Sequence, residues 1–396
     1  MRVLFITHNY IRYRGDFAGV FLHLLATKLI DSGIEVTVLA PHDQGVALEE
    51  KIEGVRIVRF RYASDDRESF AYRGDMHRRL MRPKGLFQLF TFLRAWRQRA
   101  QELMRSERFD LLVAQWALPA GWMAGRLARE YGVPFVVSSH GTDIRLLSRL
   151  WPARMAARSA LVDAQKWTVV SAFLAEAAKK SLPHLSEKIT VAPLPANDGV
   201  FFPAPGVERR NNHILSVTRF TQQKRVGVFI DALAELRRRG VNFSAEIVGA
   251  GPRQAEALSQ IARTELEGFV TLTPPMSQEA LRSKYSSAAV IALSSVDEGF
   301  GMALVEGALC GCLPVGARSG GITDIIEHEH TGLLVDPDNP QALADALMRA
   351  IRDPEMSQRI AQRARVSALE RFSGDACARR YAEIFRAAIG AQDSNA

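Results

Sequence analysis

One alternation runs through the chain: a short apolar run, a polar loop bearing glycine, a segment of helical periodicity, then another apolar run. RVLFIT (Arg2 to Thr7), HNYIRYRGDFAG, VFLHLLATKLIDSG ending at Gly33, and IEVTVLAPH make its first turn. Apolar runs of this length bounded by loops fit strands buried on both faces, and strands separated by helices form a parallel sheet, whose connections need crossovers. FDLLVAQ, PFVVSSHG and WTVVSA continue the series. It then restarts: HILSVTRF is a strand, VGVFIDALAELRRRG a helix stopped by glycine, and FSAEIVGAG, FVTLTPP and AVIALSS are further strands. Between the two series lies PLPANDGVFFPAPGVERRNN, Pro193 to Asn212, rich in proline and glycine and without periodicity, which reads as a linker. The expected fold is therefore α/β, two doubly wound domains of residues 1–200 and 201–396 facing across a cleft.

Composition narrows the function. The 396 residues are 47% hydrophobic and 24% charged, an ordinary globular balance that argues against a disordered or fibrous chain. No apolar run approaches the ~18–20 residues of a membrane span, and MRVLFITHNY lacks the apolar core and cleavage site of a secretory signal, so a cytoplasmic protein is expected. Cys310, Cys312 and Cys377 form neither an even framework nor a C-x-x-C pair and read as reduced, packed thiols. The net charge of +8 suggests a polyanionic ligand or surface. Between Arg73 and Arg105 nine Arg and Lys stand against Asp75 and Glu102, a local net of +7. Leu86, Phe87, Phe90, Leu93 and Trp96 recur there at helical spacing. An amphipathic helix with a basic flank follows, and two readings fit it: a helix packed on its own domain, or one that seats on an anionic membrane surface.

Ligands of open parallel sheets bind at the carboxyl ends of strands, so loops after strands matter most. Four stand out: Gly15 to Gly19, His140-Gly141-Thr142-Asp143, Arg219 to Lys224, and DEGFGMALVEGALCGCLPVGARSGG from Asp297 to Gly321. In the last, a helix starts at Gly301-Met302-Ala303-Leu304, and its first N–H groups lack intrahelical partners, which suits a phosphate. Gly299 and Gly301 would let the backbone approach that anion. Glu298 before the turn and Glu306 within the helix flank it with carboxylates. Such an arrangement matches a nucleotide-sugar, with hexose hydroxyls at Glu298, ribose hydroxyls at Glu306, and a diphosphate held by the helix start with Arg219 and Lys224. Each feature alone is common by chance; their conjunction carries the reading.

These residues resemble a known family. DEGFGMALVEGALCGCLPVGARSGGITDII with HTGLLVDP is similar to the donor-site signature of retaining GT-B glycosyltransferases of family 4, the glycosyl transferases group 1 type, with Glu298 and Glu306 as its E-x7-E pair. VTRFTQQKRVGVFIDAL resembles the family's phosphate-binding segment, EIVGAGP its next strand and turn, and SSHGTD the loop of the first domain that meets the donor sugar. The resemblance implies a GT-B pair of Rossmann-like domains, the first binding acceptor and the second donor, with a C-terminal helix of about 375–392 crossing back onto the first. It implies that Arg219 and Lys224 bind the diphosphate and Glu306 the ribose. Glu298 and the backbone from Phe300 to Ala303 hold the hexose, beside Gly299 and Leu304, and His140 approaches the sugar. Gly19 would line the junction of donor and acceptor. VTRF departs from the family's glycine before arginine, RGDFAG lacks its adjacent glycine pair, and Asp324 replaces its frequent glutamate.

No D-x-D follows a strand in the donor half, so a metal-free site without resident cofactor is expected, the leaving diphosphate being stabilised by the helix start, Arg219 and Lys224. Family resemblance implies retention by front-face attack, with the leaving phosphate taking the acceptor's proton; Asp143 reads as a helix cap rather than a base. The resemblance leads us to expect a hexose or N-acetylhexosamine as the donor sugar, and as acceptor a glycan or lipid-linked glycan of polysaccharide, lipopolysaccharide or glycolipid assembly, with the enzyme seated on the inner membrane face. Nucleic acid is not an expected partner. Two other classes share the architecture: a sugar-nucleotide epimerase, which would release no nucleotide, and a non-catalytic binding protein, whose periplasmic type needs the absent signal.

Overall fold

The computed structural model describes residues 1–16, 18–68, 70–72 and 83–393. The chain divides into two compact units, one of Met1–Val170, Leu174–Pro195 and Cys377–Ala396, the other of Ser171–Phe173 and Ala196–Ala376.

The first unit is built on an eight-stranded sheet: β1 (Arg2–Ile6), β2 (Glu35–Pro41), β3 (Glu49–Ile52), β4 (Val55–Phe60), β5 (Leu111–Gln115), β6 (Phe135–Ser139), β7 (Lys166–Val169) and β8 (Ile189–Val191), in the order β3-β4-β2-β1-β5-β6-β7-β8. Neighbours are parallel except the hairpin β3 and β4. That hairpin was not read from the sequence because Glu49–Ile52 has no apolar run to announce it. The helix Val20–Asp31 ends where Gly33 takes φ 79° and Ile34 N–H reaches back to Leu29 O at 3.0 Å, a glycine-dependent stop. The last helix, Gly374–Asp393, lays Phe385 edge-on against Phe5 of β1 and donates from the Tyr381 hydroxyl to Ala192 O at 3.1 Å.

The basic amphipathic segment is a helix over Pro83–Ser106, while residues 73–82 lie outside the described residues. Its apolar positions do not form one stripe. Trp96, with Phe92, is fully buried and stacks on Phe60, whereas Leu86, Phe87 and Phe90 stand exposed. Period alone placed all of them together, but only the second half of the helix has a sheet beneath it to cover. Among the described residues no helix is long and apolar enough to cross a membrane.

The second unit carries a six-stranded parallel sheet: β9 (Arg210–Val217), β10 (Ser244–Val248), β11 (Val270–Thr273), β12 (Ala288–Leu293), β13 (Leu313–Ala317) and β14 (Leu333–Val335), in the order β11-β10-β9-β12-β13-β14. Ile214, Ile247, Val290 and Val315 pack against Phe229, Leu233 and Leu236 of the helix Val226–Arg238, each fully buried side chain contributing roughly 1.5–3 kcal/mol. The expected linker is structured. The chain passes between units after Pro195 rather than after residue 200, Phe201 is buried against Tyr285, and Arg210–Asn212 already belong to β9. Proline and glycine broke the periodicity there without breaking the packing.

Strand order reverses between β1 and β5 in the first sheet and between β9 and β12 in the second. At such a point the loops leave their strands toward opposite sides and open a crevice, so each unit has one place where ligand chemistry belongs.

Candidate active site

In the second unit the loops leaving β9 and β12 are tied together. Val296 N–H donates to Gln223 O at 3.0 Å, the Gln223 amide donates to Asp297 O at 2.8 Å, and the Ser294 hydroxyl reaches Arg225 O at 2.9 Å. Across this junction Lys224 Nζ donates to a Glu298 oxygen, and the two side chains are only 14% and 13% exposed. The two residues expected at opposite parts of a ligand are thus each other's partners, so charge at the site is nearly balanced and preset before any ligand arrives.

The helix Met302–Leu309 begins directly after this turn. Its N-cap is Gly301 at φ 112°, a region side chains avoid, and no side chain caps it, so its first N–H groups are left without a side-chain acceptor, as at helix starts that receive anions. Phe300 turns inward, buried edge-on against Phe372, which leaves its backbone rather than its ring for a ligand. The second glycine pair acts on the protein itself. Gly321 N–H donates to Glu298 O at 2.7 Å, and a Cβ on Gly320, which sits at φ 63°, would lie 2.4 Å from Glu298 O and 2.5 Å from its N. SGG is therefore the floor on which the Glu298 backbone rests. Gly320→Ala is expected to cost more than about 2 kcal/mol, from left-handed strain plus a backbone clash; a urea midpoint equal to that of the unmodified chain would contradict this.

Glu306 lies within the helix, and one of its oxygens accepts from the Tyr285 hydroxyl at 2.8 Å. Burial pushes its carboxyl up to about 7, against the opposing effect of that hydrogen bond. Tyr285 stands near the end of the helix Gln278–Ser287, and nothing in its local pattern marked it. Arg219, expected beside Lys224, is exposed after β9, and its guanidinium has no partner among the described residues. The second unit therefore joins Lys224 to Glu298 and Glu306 to Tyr285, and leaves Arg219 free.

At the reversal of the first sheet, three successive strand ends bring together His8, Gln115 with Trp116, and His140. The Trp116 ring lies 4.5 Å from His8 and 4.7 Å from His140, and Phe21 lies 5.4 Å from His140. His140 Nε2 meets Gln115 Oε1 at 2.9 Å. Burial lowers both His8 and His140 to about 4, so both rings are neutral near pH 7. Asp143 does not cap the helix Thr142–Arg149. Its carboxylate instead accepts from the backbone N–H groups of His140 and Gly141, each at 3.2 Å, and of Ala117 at 3.0 Å, clamping two loops. Gly19 is the N-cap of Val20–Asp31 at φ 66°, where a Cβ would meet Tyr10 Cα at 2.9 Å. His8, Gln115, Trp116 and Tyr285 were not singled out from the sequence; all but Tyr285 lie at or just beyond strand ends, which was the available signal, and Gln223 was covered only as part of the Arg219 to Lys224 loop.

Among the described residues one group has the spacing of metal ligands, His42, Asp65 and Glu68, with ligand atoms within 4.8 Å of one another. Its atoms are already engaged: His42 Nδ1 meets Glu68 at 2.5 Å, His42 Nε2 donates to Val46 O at 2.8 Å, and Asp65 pairs with Arg61.

Comparison with known proteins agrees with this layout. Residues 18–198 match the family described as Glycosyltransferase Family 4, and residues 200–367 the family described as Glycosyl transferases group 1. The N-acetyl-alpha-D-glucosaminyl L-malate synthase of Bacillus anthracis is 24% identical over 311 residues, 76% of this chain and 80% of that one. Sucrose-phosphate synthase from Thermosynechococcus elongatus superposes with a TM-score of 0.77 at 20% identity, over 98% of this chain and 99% of the other. Anabaena HepE, solved in complex with UDP-glucose, superposes with a TM-score of 0.74 at 20% identity over the same shares. The two matched halves, the two parallel sheets and the carboxylate pair converge: the chain belongs to the GT-B glycosyltransferases of family 4 and transfers sugar from a nucleotide-sugar donor.

Proposed function

We propose that the enzyme moves a hexose or N-acetylhexosamine, with retention of configuration and without a metal ion, from a nucleotide diphosphate sugar held at the β9 and β12 loops. The observation that carries this is the Lys224 and Glu298 pair set beside the uncapped start of Met302–Leu309, with Glu306 one turn further on. Lys224 and the free Arg219 meet the diphosphate as it leaves, and with the helix start they supply the positive charge that a divalent ion supplies elsewhere. Glu306 binds ribose hydroxyls. Glu298, freed from Lys224 as the phosphates take over that lysine, binds the hexose together with the backbone of Gly299 to Leu304. His140 serves the transferred sugar and Gly19 the acceptor side. The departing phosphate oxygen accepts the acceptor's proton, so the protein needs no base of its own. Hexose and N-acetylhexosamine are supported by the relatives, one named for N-acetylglucosaminyl transfer and one solved with UDP-glucose.

The test is a nucleotide-sugar panel with and without glycan or lipid-linked acceptors, following free nucleotide and the anomer of the product. Acceptor-dependent release, retained configuration and indifference to EDTA are expected. An inverted product or loss of rate with EDTA would overturn the corresponding part, and binding without any release would overturn transfer from these donors.

The acceptor side is proposed to work at an anionic membrane surface, in polysaccharide or glycolipid assembly. The support is the exposed apolar start of Pro83–Ser106, where Phe87 is 69% exposed, and a second corner at Leu150, Trp151 and Met155, with Trp151 67% exposed beside exposed Arg149 and Arg158. Aromatic side chains among unpaired arginines suit an interface between headgroup and acyl chain. Co-sedimentation with phosphatidylglycerol vesicles is expected, and Phe87→Ser with Trp151→Ser should reduce it at least tenfold. Equal binding to purely zwitterionic vesicles would contradict this.

A further inference from the structure

The His8, Gln115, Trp116 and His140 cluster contains more than the proposed contact to a sugar uses. His8 Nδ1, His140 Nδ1 and Gln115 Nε2 are buried with no hydrogen-bond partner among the described residues. Gln115 is itself 1% exposed. A buried amide or imidazole atom without a partner is unfavourable, so three around one indole are a deficit that a ligand can satisfy. Trp116 adds a backbone held at φ 72°, a conformation bulky residues rarely adopt and one that collects at functional sites.

The pattern of paired and unpaired atoms defines the chemistry. Gln115 Oε1 faces His140 Nε2, and an amide oxygen can only accept, so the ring proton sits on Nε2. Nδ1 is then a bare lone pair. The other half of the same amide, Nε2–H, is an unused donor. A sugar hydroxyl both donates and accepts, and an apolar sugar face lies well on an indole.

We infer that Gln115 is a positioning residue that holds His140 as its Nε2–H tautomer, leaving Nδ1 to accept a hydrogen bond from a hydroxyl of the substrate sugar. The inference rests on the proposed sugar-binding role of His140 and sharpens it: the imidazole works as an acceptor, neither a cation nor a donor at Nδ1. Two titratable groups lie near the ring: Asp143 on its own loop, which favours the charged form of His140, and His8, whose own charged form His140 disfavours. Burial outweighs Asp143 and holds the ring neutral down to about pH 4. A ring so weakly basic orients a hydroxyl without taking its proton, in keeping with a departing phosphate as the proton's destination.

The experiment is ¹⁵N NMR of histidine-labelled full-length enzyme, with His140 assigned from the signals lost in His140→Gln, beside the nucleotide-release rate as a function of pH. The unmodified ring should carry its proton on Nε2 at pH 6–8. Gln115→Glu keeps the shape but places a carboxylate on Nε2–H, so the titration midpoint of His140 should rise by one unit or more. Release should then gain an acid limb at that same midpoint, because protonating Nδ1 removes the acceptor. Gln115→Met should split the ring between tautomers and lower kcat about tenfold without an acid limb. A purely structural role for Gln115 would lower the rate equally at every pH. An Nδ1–H ring in the unmodified enzyme, an unmoved midpoint in Gln115→Glu, or a midpoint that rises without the acid limb would each overturn the inference. The ring states are read without turnover, so failure of every donor to react would count against the transfer reading and not against the tautomer.

Discussion

Lys224→Ala should lower turnover by about 10²- to 10³-fold, the loss associated with removing one preset electrostatic contact to a developing negative charge. The lysine is the largely enclosed cation at the junction of the β9 and β12 loops, and in the proposed mechanism the charge it answers appears as the diphosphate leaves. Stability should fall by about 1–3 kcal/mol, because Glu298 loses its partner in a largely enclosed position while the backbone ties through Gln223 and Ser294 persist. The check is nucleotide release alongside a urea melt. Arg238→Ala, which removes an exposed arginine paired with Glu235 on its own helix, provides the control and should leave the rate within twofold. Retained turnover in Lys224→Ala would remove the diphosphate from this junction.

Glu306→Gln should trade function for stability, and pH should reveal the exchange. The folded carboxyl titrates near 7 against an ordinary 4.5, so between those values the folded chain holds a proton that the unfolded chain has released. The unmodified protein therefore loses stability as pH rises through that window, at about 1.4 kcal/mol per pH unit and about 3 kcal/mol in all. Glutamine has no proton to lose and still accepts from Tyr285, so the variant should match the parent at pH 4.5 and exceed it at pH 8. Affinity for UDP-glucose or another intact donor, whose phosphates do not titrate here, should rise with pH through 7 in the parent as the carboxylate forms. In the variant it should be flat and about 10- to 100-fold weaker at pH 8, the worth of a charged acceptor facing ribose hydroxyls. A parent melt independent of pH from 5 to 8 would contradict the buried carboxyl.

Much of this was legible in the linear pattern, for identifiable reasons. Strands buried on both faces are continuous apolar runs, so the parallel strands β1, β2, β5 and β6 and the central strands of the second sheet could be read directly. The edge strand β3, and with it the hairpin to β4, could not, because Glu49–Ile52 is a short charged segment on an edge. Glu298, Glu306 and Lys224 were singled out by their place in the stretches after strands, and the structure sets them at the β9 and β12 loops and the helix that follows. Their division of contacts was not legible: the Lys224 and Glu298 pair joins residues 74 positions apart, and Glu306 finds Tyr285 across 21. The second glycine pair drew no structural reading from the sequence, because its task is tertiary: it lets the Glu298 backbone rest on residues 320 and 321. Asp143 was read as a cap from its place after HGT, but its carboxylate instead clamps its own loop to a neighbouring strand end, through a contact 26 residues back. Tertiary partners, rather than residue types, are what a sequence conceals.

The central claim is that the junction of the β9 and β12 loops holds the donor's nucleotide. Its most direct measurement is calorimetric titration of UDP and of GDP into the unmodified enzyme, Lys224→Ala and Glu306→Gln at pH 8. One nucleotide should bind the unmodified enzyme with a single site, and each variant should bind it at least tenfold more weakly. Equal affinity in all three proteins would contradict the account.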